Sequence, residues 1–515
     1  MLKKLNEIFG LDLRSLALYR IGIALFILGD LAIRASDLRA HYTDWGVLPR
    51  TVLLTDSFYN TWGVSLHLMS GQAWAQAVLF LIAAFFALML LAGYRTRLAS
   101  IVIWFLTISL QARNPLLLQG GDVLYRMALF FGMFLPLNGC YSVDKALSHS
   151  RDEKSARTVF SAGTAGFMLQ VIFVYCFSVG VKLSLPEGKQ VWWDQGLGVY
   201  YALSVDQFAR PFGYFLLTLP LKILRFLNYY VLGVELFAPL LFLFPFKNSW
   251  ARIIALLLIG GLHFSLNTSM ILGIFPVIGT VTLIPFIPGN VWDSLGPFLA
   301  SRDAAFRSFL KKQQWIQRWF EKKKKTSPAR PLTLGLPPAA QIFAVSCILY
   351  IFFWNLGVTG LPHGGVPARF LGLGNTLRLD EYWGMFATPL KDDGWYVMPA
   401  RLRNGKEVDV FQEGRPIRWE KPARVALTYK NDRWRKYFMN LWLAEYKGYR
   451  VYYGQYMCRQ WNTTHAPEEA LEEFQMFYMR EDTVLYQNPV PKKVSVDRFF
   501  CFQIPNPVPP SKWES

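Results

Sequence analysis

From Ser15 to Val358 the chain alternates long apolar runs with short polar connections. Crossing a bilayer core about 30 Å thick takes roughly 20 helical residues, with a tolerance of several. Runs of that kind lie at Ser15–Ile33, Ala73–Gly93, Leu98–Ala112, Val123–Leu137, Val159–Leu183, Phe226–Phe246, Ala251–Leu266, Met270–Pro288 and Pro338–Val358. They predict an all-α polytopic membrane helical bundle of about eight or nine spans. The short third and seventh runs are expected to tilt, to be partly covered by protein, or to stop short of a full crossing. Ahead of the sixth run, Phe208–Leu221 reads as an interfacial or re-entrant helix.

From about Leu361 the pattern changes to mixed polar and aromatic positions. Glu407–Phe411 and Arg424–Tyr429 alternate as strands do, Asp393-Gly394 and Asn404-Gly405 carry hairpin-turn chemistry, and Pro467–Tyr478 reads as a short helix. The expectation is a C-terminal α+β soluble domain of ordinary size. The chain then divides into a transmembrane domain over 1–300, a basic cytoplasmic linker over 301–337, a final transmembrane helix over 338–358 and an outer-side soluble domain over 361–515. Its tail, Asn506–Pro510, is expected to be extended.

Composition agrees with a bilayer protein, since hydrophobic residues make up 53% of the 515. The formal charge of +19 lies in short segments between apolar runs, not in one stripe, which argues against nucleic acid as a partner and for membrane lipid. Lys3, Lys4 and Arg14, then Arg95 and Arg97, then Lys145 to Arg157, then Lys247 and Arg252, then Lys311 to Arg330 all fall on one side if the N-terminus is cytoplasmic. An odd number of spans places the C-terminal domain outside, in a periplasmic, extracellular or luminal space. The first run carries Arg20, Asp30 and Arg34 and lacks a small-residue cleavage pattern, so it reads as an uncleaved span. No Cys/His spacing suits a metal. Cys458 and Cys501 form one disulfide if their domain faces an oxidising compartment, and are otherwise two free thiols.

Ionisable residues inside apolar runs are the functional candidates. Lys182, near the outer end of its run, must pair, snorkel to the interface or give up its proton, and a neutral lysine there is a strong base. Tyr175 and Ser178 share its helical face, and Gly180 permits close approach. His263 lies in the seventh run with Asn267 one turn on, an arrangement that either ties helices together or lines a site. Glu235, mid-span, has no cation on its own helix and needs a partner from another. Lys182 is one such partner, and that pairing explains both residues without chemistry. Asp122 with Arg126, and Asp30 with Arg34, are spaced to pair along single helices.

The order of these segments resembles the horizontally transferred transmembrane (HTTM) family, which includes the vitamin K-dependent γ-glutamyl carboxylases. Matching stretches are Tyr19-Arg20 with Asp30, His41 to Gly46, Asn114 with Gly121-Asp122, and Phe134-Leu-Pro136 with Ser142-Val-Asp144. Tyr175 to Leu183, followed by Trp193 to Gly196 and Tyr200-Tyr201, is similar to the carboxylase segment in which a second lysine, at the place of Lys182, is the initiating base. His263 to Asn267 through Gly273-Ile-Phe-Pro276 is similar to a later histidine segment. The resemblance covers roughly Ser15 to Asp293. Val181 stands where the carboxylases have a first lysine, and Gln119 to Asp122 replaces an Asn-Asn-His segment. The resemblance implies reduced vitamin K or another quinol as cofactor, Lys182 and His263 as catalytic residues, and Tyr175, Asn267, Glu235 and Asp122 lining the substrate or quinone site. The region after Pro288 does not match the carboxylase part that recognises propeptides, so protein-substrate recognition is not carried over by the resemblance; a protein or peptide substrate on the outer side is a separate expectation. The alternative is a non-enzymatic membrane scaffold or maturation factor whose outer domain binds a partner protein.

Overall fold

The structure, a computed structural model, describes residues 2–55, 63–148, 157–184, 193, 195–296, 334–360, 365–387, 392–485, 489–502 and 513. The basic linker residues Lys311 to Arg330, Asp194 and the tail Asn506–Pro510 lie outside them. The main helices are α1 (Leu13–Ala35), α2 (Ala73–Ala92), α3 (Thr96–Arg113), α4 (Gly120–Gly132), α5 (Ala162–Leu183), α6 (Leu221–Phe237), α7 (Asn248–Ser269), α8 (Phe275–Leu283) and α9 (Pro338–Val358).

Six helices are long and apolar enough to cross a membrane, and one further bent pair raises the number to seven, against the eight or nine expected. Two runs account for most of the difference. The run at 123–137 yields only the 13-residue α4, about 20 Å long, with Leu124 to Gly132 all buried in protein. The run at 98–112 lies in α3, whose 18 residues include Arg97, Gln111 and Arg113. Both are apolar because they face other helices. The run at 270–288 becomes α8 and a turn to Phe286, followed by an 83° bend into Gly289–Gly296. Phe208–Leu221 holds only the short helix Pro211–Leu217.

Large apolar side chains on the long helices face outward: Leu81 is 70% exposed, Phe226 67%, Leu257 71% and Ile342 68%. Such a belt around a bundle matches lipid in chemistry and not water.

Polar ties hold the two ends of the bundle. At the N-terminal end, Leu11–Asp12 (β1) pairs with Thr158–Val159 (β2), Arg14 bridges to Asp293 at 2.8 Å, and Arg252 donates to the Gly10 carbonyl at 3.0 Å. Arg20 donates to the carbonyls of Leu137 and Tyr141, at 3.0 and 2.6 Å. At the opposite end sits the C-terminal domain.

That domain is an antiparallel sheet with two helices, α10 (Asp432–Trp442) and α11 (Arg450–Thr464). Its central strand, β6 (Leu471–Asp482), pairs along one edge with β7 (Lys492–Phe500) and along the other with β3 (Asp392–Val397) and β4 (Pro399–Leu402); β5 (Glu407–Asp409) extends β4. Cys458 on α11 and Cys501 just after β7 form a disulfide.

Three local expectations are corrected here. Pro467–Tyr478 is a single short turn and then most of β6, not a helix. Glu473 to Met479 of β6 are buried without interruption, so the two-residue alternation that marks a half-exposed strand is absent. Arg424–Tyr429 contains a 3₁₀ turn at Val425–Thr428, and Asp393-Gly394 lies inside β3, opposite Glu481 and Arg480. Any side chain at 394 would collide with the Met479 carbonyl, so this glycine serves strand packing and not a turn. Asn404-Gly405 does form the turn between β4 and β5, with Gly405 at φ 79°.

Candidate functional site: a chamber between bundle and domain

A chamber of about 330 Å³ lies where the ends of α5, α6 and α7 meet the C-terminal domain. Val174, Tyr175 and Ser178 come from α5, Glu235 from α6, and Leu262, His263 and Leu266 from α7. Leu272 and Phe275 close another side, with Gln119 and Gly120 at the start of α4. The domain side supplies Tyr382 to Phe386 from the loop after α9, and Arg435, Lys436 and Met439 from α10. Apolar walls with a few convergent polar groups are the usual make-up of a small-molecule site.

His263 is buried, with Nε2 2.7 Å from the Tyr175 hydroxyl. Its Nδ1 is buried without a hydrogen-bond partner in the structure. The imidazole lies against Gly279 of α8, where a side chain would occupy the ring's place. Gly279 therefore makes room for the histidine, as a helix-packing glycine does.

Lys182 does not snorkel and does not line the chamber. It is 3% exposed, its Nζ is 2.5 Å from Glu235 Oε2, and it sits 4.6 Å from the centre of the Trp193 ring. Glu235 lines the chamber, and its carboxylate holds the lysine. Gly180 meets Thr359 after α9, the close approach its lack of a side chain allows. Of the alternatives open for Lys182, the structure selects pairing, yet it also places a cavity beside the pair.

Two candidate lining residues lie elsewhere. Asn267 is exposed, because four residues of helix turn about 40° past His263 and carry it off the chamber side that Leu262 and Leu266 share. Asp122 is fully buried in an ion cluster. Arg34 bonds Asp30 at 2.7 Å and Asp122 at 2.5 Å, and Arg433 of α10 bonds Asp30 at 2.8 Å and Asp122 at 2.6 Å. Two carboxylates and two guanidinium groups thus form a closed ring, completed by the Tyr42 hydroxyl, which accepts from Arg34 at 2.8 Å. The expected Asp30–Arg34 pair exists. The Asp122–Arg126 pair does not, since Arg126 turns to Asp380 at 3.2 Å and to the Arg378 carbonyl at 2.9 Å. A guanidinium from a segment some 300 residues away outcompeted the local partner.

Further ties fix the domain over the chamber. Asp37 accepts from Lys430 and Asn431, each at 2.6 Å, and Gln119 donates to Asp432 at 2.9 Å. The Trp193 indole donates to the Phe386 carbonyl at 2.7 Å. Behind the chamber wall Glu381 accepts from Gln170 at 2.5 Å, Asn355 at 3.0 Å and Trp383 at 2.8 Å. Among the described residues no cluster of His, Cys, Asp and Glu is arranged to hold a metal.

The chamber residues from the C-terminal half were not visible to sequence reasoning. Asn431 ahead of Asp432 is a helix-start signal that identifies α10, and its side chain does cap that helix. Nothing in the local sequence says that this helix packs onto the bundle. Comparisons with protein-family models, with curated proteins and with solved structures each found no match.

Proposed function

We propose that the chain is a membrane-embedded enzyme of the kind its sequence resembles, taking a quinol-type molecule from the bilayer into the chamber and moving protons there. The observation that carries this reading is the meeting of a Tyr175–His263 hydrogen bond and a Lys182-backed Glu235 carboxylate in one largely apolar cavity. A quinol head group fits the residues present: Phe208, Phe275, Met385 and Phe386 offer ring and thioether surface, and the unpartnered His263 Nδ1 is a buried polar atom of the kind a ligand satisfies. Bound there, with dioxygen, it would supply the strong base that the carboxylase-like resemblance implies.

The chain's own residues do the rest. Tyr175 fixes the imidazole of His263. Glu235 is the carboxylate that would take the proton of a ligand hydroxyl, and Lys182, 2.5 Å behind it, is the ammonium that positions it. Lys182 therefore acts through Glu235 and not as a free amine facing the ligand. The domain roof and apolar walls exclude water that would quench a strong base. A carbon-acid substrate, including a protein or peptide side chain, would arrive from the domain side, where Tyr382 is exposed at the rim. A cytoplasmic N-terminus and an outer C-terminal domain belong to the same proposal. The Cys458–Cys501 disulfide and the basic Arg14 and Arg252 at the opposite end of the bundle support it.

The test is quinol-dependent incorporation of labelled carbon dioxide by membranes containing the full chain. Wild type is expected to incorporate label, and Lys182→Ala and His263→Ala to lose it. Equal incorporation by Lys182→Ala removes the role of Lys182. No incorporation and no quinone binding by wild type favour the second reading, a non-enzymatic scaffold, for which the closed Lys182–Glu235 contact is the supporting observation.

A further inference from the structure

The charges around the chamber do not balance. Glu235 is its one carboxylate among the described lining residues, and Lys182 holds it. Arg435 is held by Asp432 and by the Ile271 carbonyl at 2.9 Å. Lys436, beside it on α10, lines the chamber half-buried and has no hydrogen-bond or ion-pair partner among the described residues. The carboxylates nearest to it are committed: Asp122 to Arg34 and Arg433, Asp432 to Arg435 and Gln119, and Glu445 to the Tyr446 hydroxyl. Burial and the neighbouring Arg435 cation hold its pKa below the ordinary lysine value. The ammonium form is thus disfavoured as the protein stands, and an anion beside it would relieve that.

We propose that the chamber binds an anionic amphiphile, a molecule with one carboxylate or phosphate group on an apolar chain, its acidic group against Lys436 and its chain among Phe208, Phe275, Met385 and Phe386. Lys436 supplies a charge-assisted hydrogen bond, and the walls supply apolar surface that a small inorganic anion cannot use. A free fatty acid and an acidic membrane lipid share this chemistry. The inference rests on the chamber being a ligand site, not on quinol chemistry.

The experiment is titration calorimetry on the full chain in phosphatidylcholine nanodiscs, with oleate, oleyl alcohol and acetate as probes. Wild type is expected to bind oleate at least about tenfold more tightly than oleyl alcohol, the difference one charge-assisted hydrogen bond makes, and not to bind acetate. Lys436→Met should equalise oleate and the alcohol, and Lys436→Arg should keep the preference. Nanodiscs doped with phosphatidic acid identify the source: loss of the oleate signal there means that the lipid occupies the chamber, and an unchanged signal assigns it to free acid. Equal binding of oleate and oleyl alcohol by wild type overturns the proposal and needs no variant. Retention of the preference in Lys436→Met, or acetate binding as tightly as oleate, overturns it too. Quinone binding without any preference for the acid overturns this inference alone and leaves the proposed function standing.

Discussion

Lys182 and Glu235 are each tolerable in an apolar setting because of the other, so removing one should cost more than removing both. Lys182→Met is expected to lower stability by about 3–5 kcal/mol, because it strands a carboxylate, and Lys182→Met with Glu235→Leu to recover most of the loss. Thermal unfolding in detergent compares the two; a double variant no more stable than the single one would show that the pair is not the relevant unit. Asp409, in the C-terminal sheet domain, offers a pH prediction. Its Oδ1 accepts from the backbone N–H groups of Met398 at 3.2 Å and Phe411 at 2.9 Å, and burial pushes its pKa up to about 6. A raised carboxylate pKa stabilises the folded state below the ordinary value near 4, and that contribution disappears as pH rises through about 6. Asp409→Asn keeps the Oδ1 acceptor and has no charge to bury. It should therefore gain on wild type between pH 5 and pH 8, by about 2 kcal/mol at most. A stability difference independent of pH would contradict the assignment.

At the scale of elements, the junction of α1, α4 and α10 is governed by the ring of Asp30, Arg34, Asp122 and Arg433. Arg433→Ala leaves two buried carboxylates to share one guanidinium and is expected to cost about 3–5 kcal/mol. Arg433→Lys should fall well short of wild type, since one ammonium lacks the planar fork that reaches both carboxylates. Limited proteolysis between 360 and 392 reads the effect: faster cleavage than wild type in both variants is expected, and wild-type resistance in Arg433→Ala would show that the other ties suffice. The same ring explains what a sequence reading reaches here. Spacing of four residues identified Asp30–Arg34 correctly, but it offered Arg126 to Asp122 with equal force. The choice was made by Arg433, which no local rule connects to position 122. Likewise α4 and α3 read as spans because burial in protein and burial in lipid select the same residues.

The Cys458–Cys501 disulfide closes a loop of 43 residues in sequence separation, and its removal by Cys→Ser at both positions is expected to destabilise the domain by about 2–4 kcal/mol. Protection of the domain from protease in right-side-out vesicles would place it on the inner side and contradict the proposed orientation. The pattern of apolar runs by itself determined that helices long and apolar enough for a bilayer come first, and that a unit containing a β-sheet follows, because solvent preference is written into each side chain. It also singled out Tyr175, Lys182, Glu235 and His263, since polar groups in such runs are costly wherever they lie. Only the tertiary structure decided that Lys182 meets Glu235, that Asn267 faces away and that Asp122 is locked in a ring. It alone put Arg435 and Lys436 into the same chamber as His263. Contacts between segments hundreds of residues apart depend on which surfaces are complementary once the chain has folded, and no periodicity along the sequence encodes that.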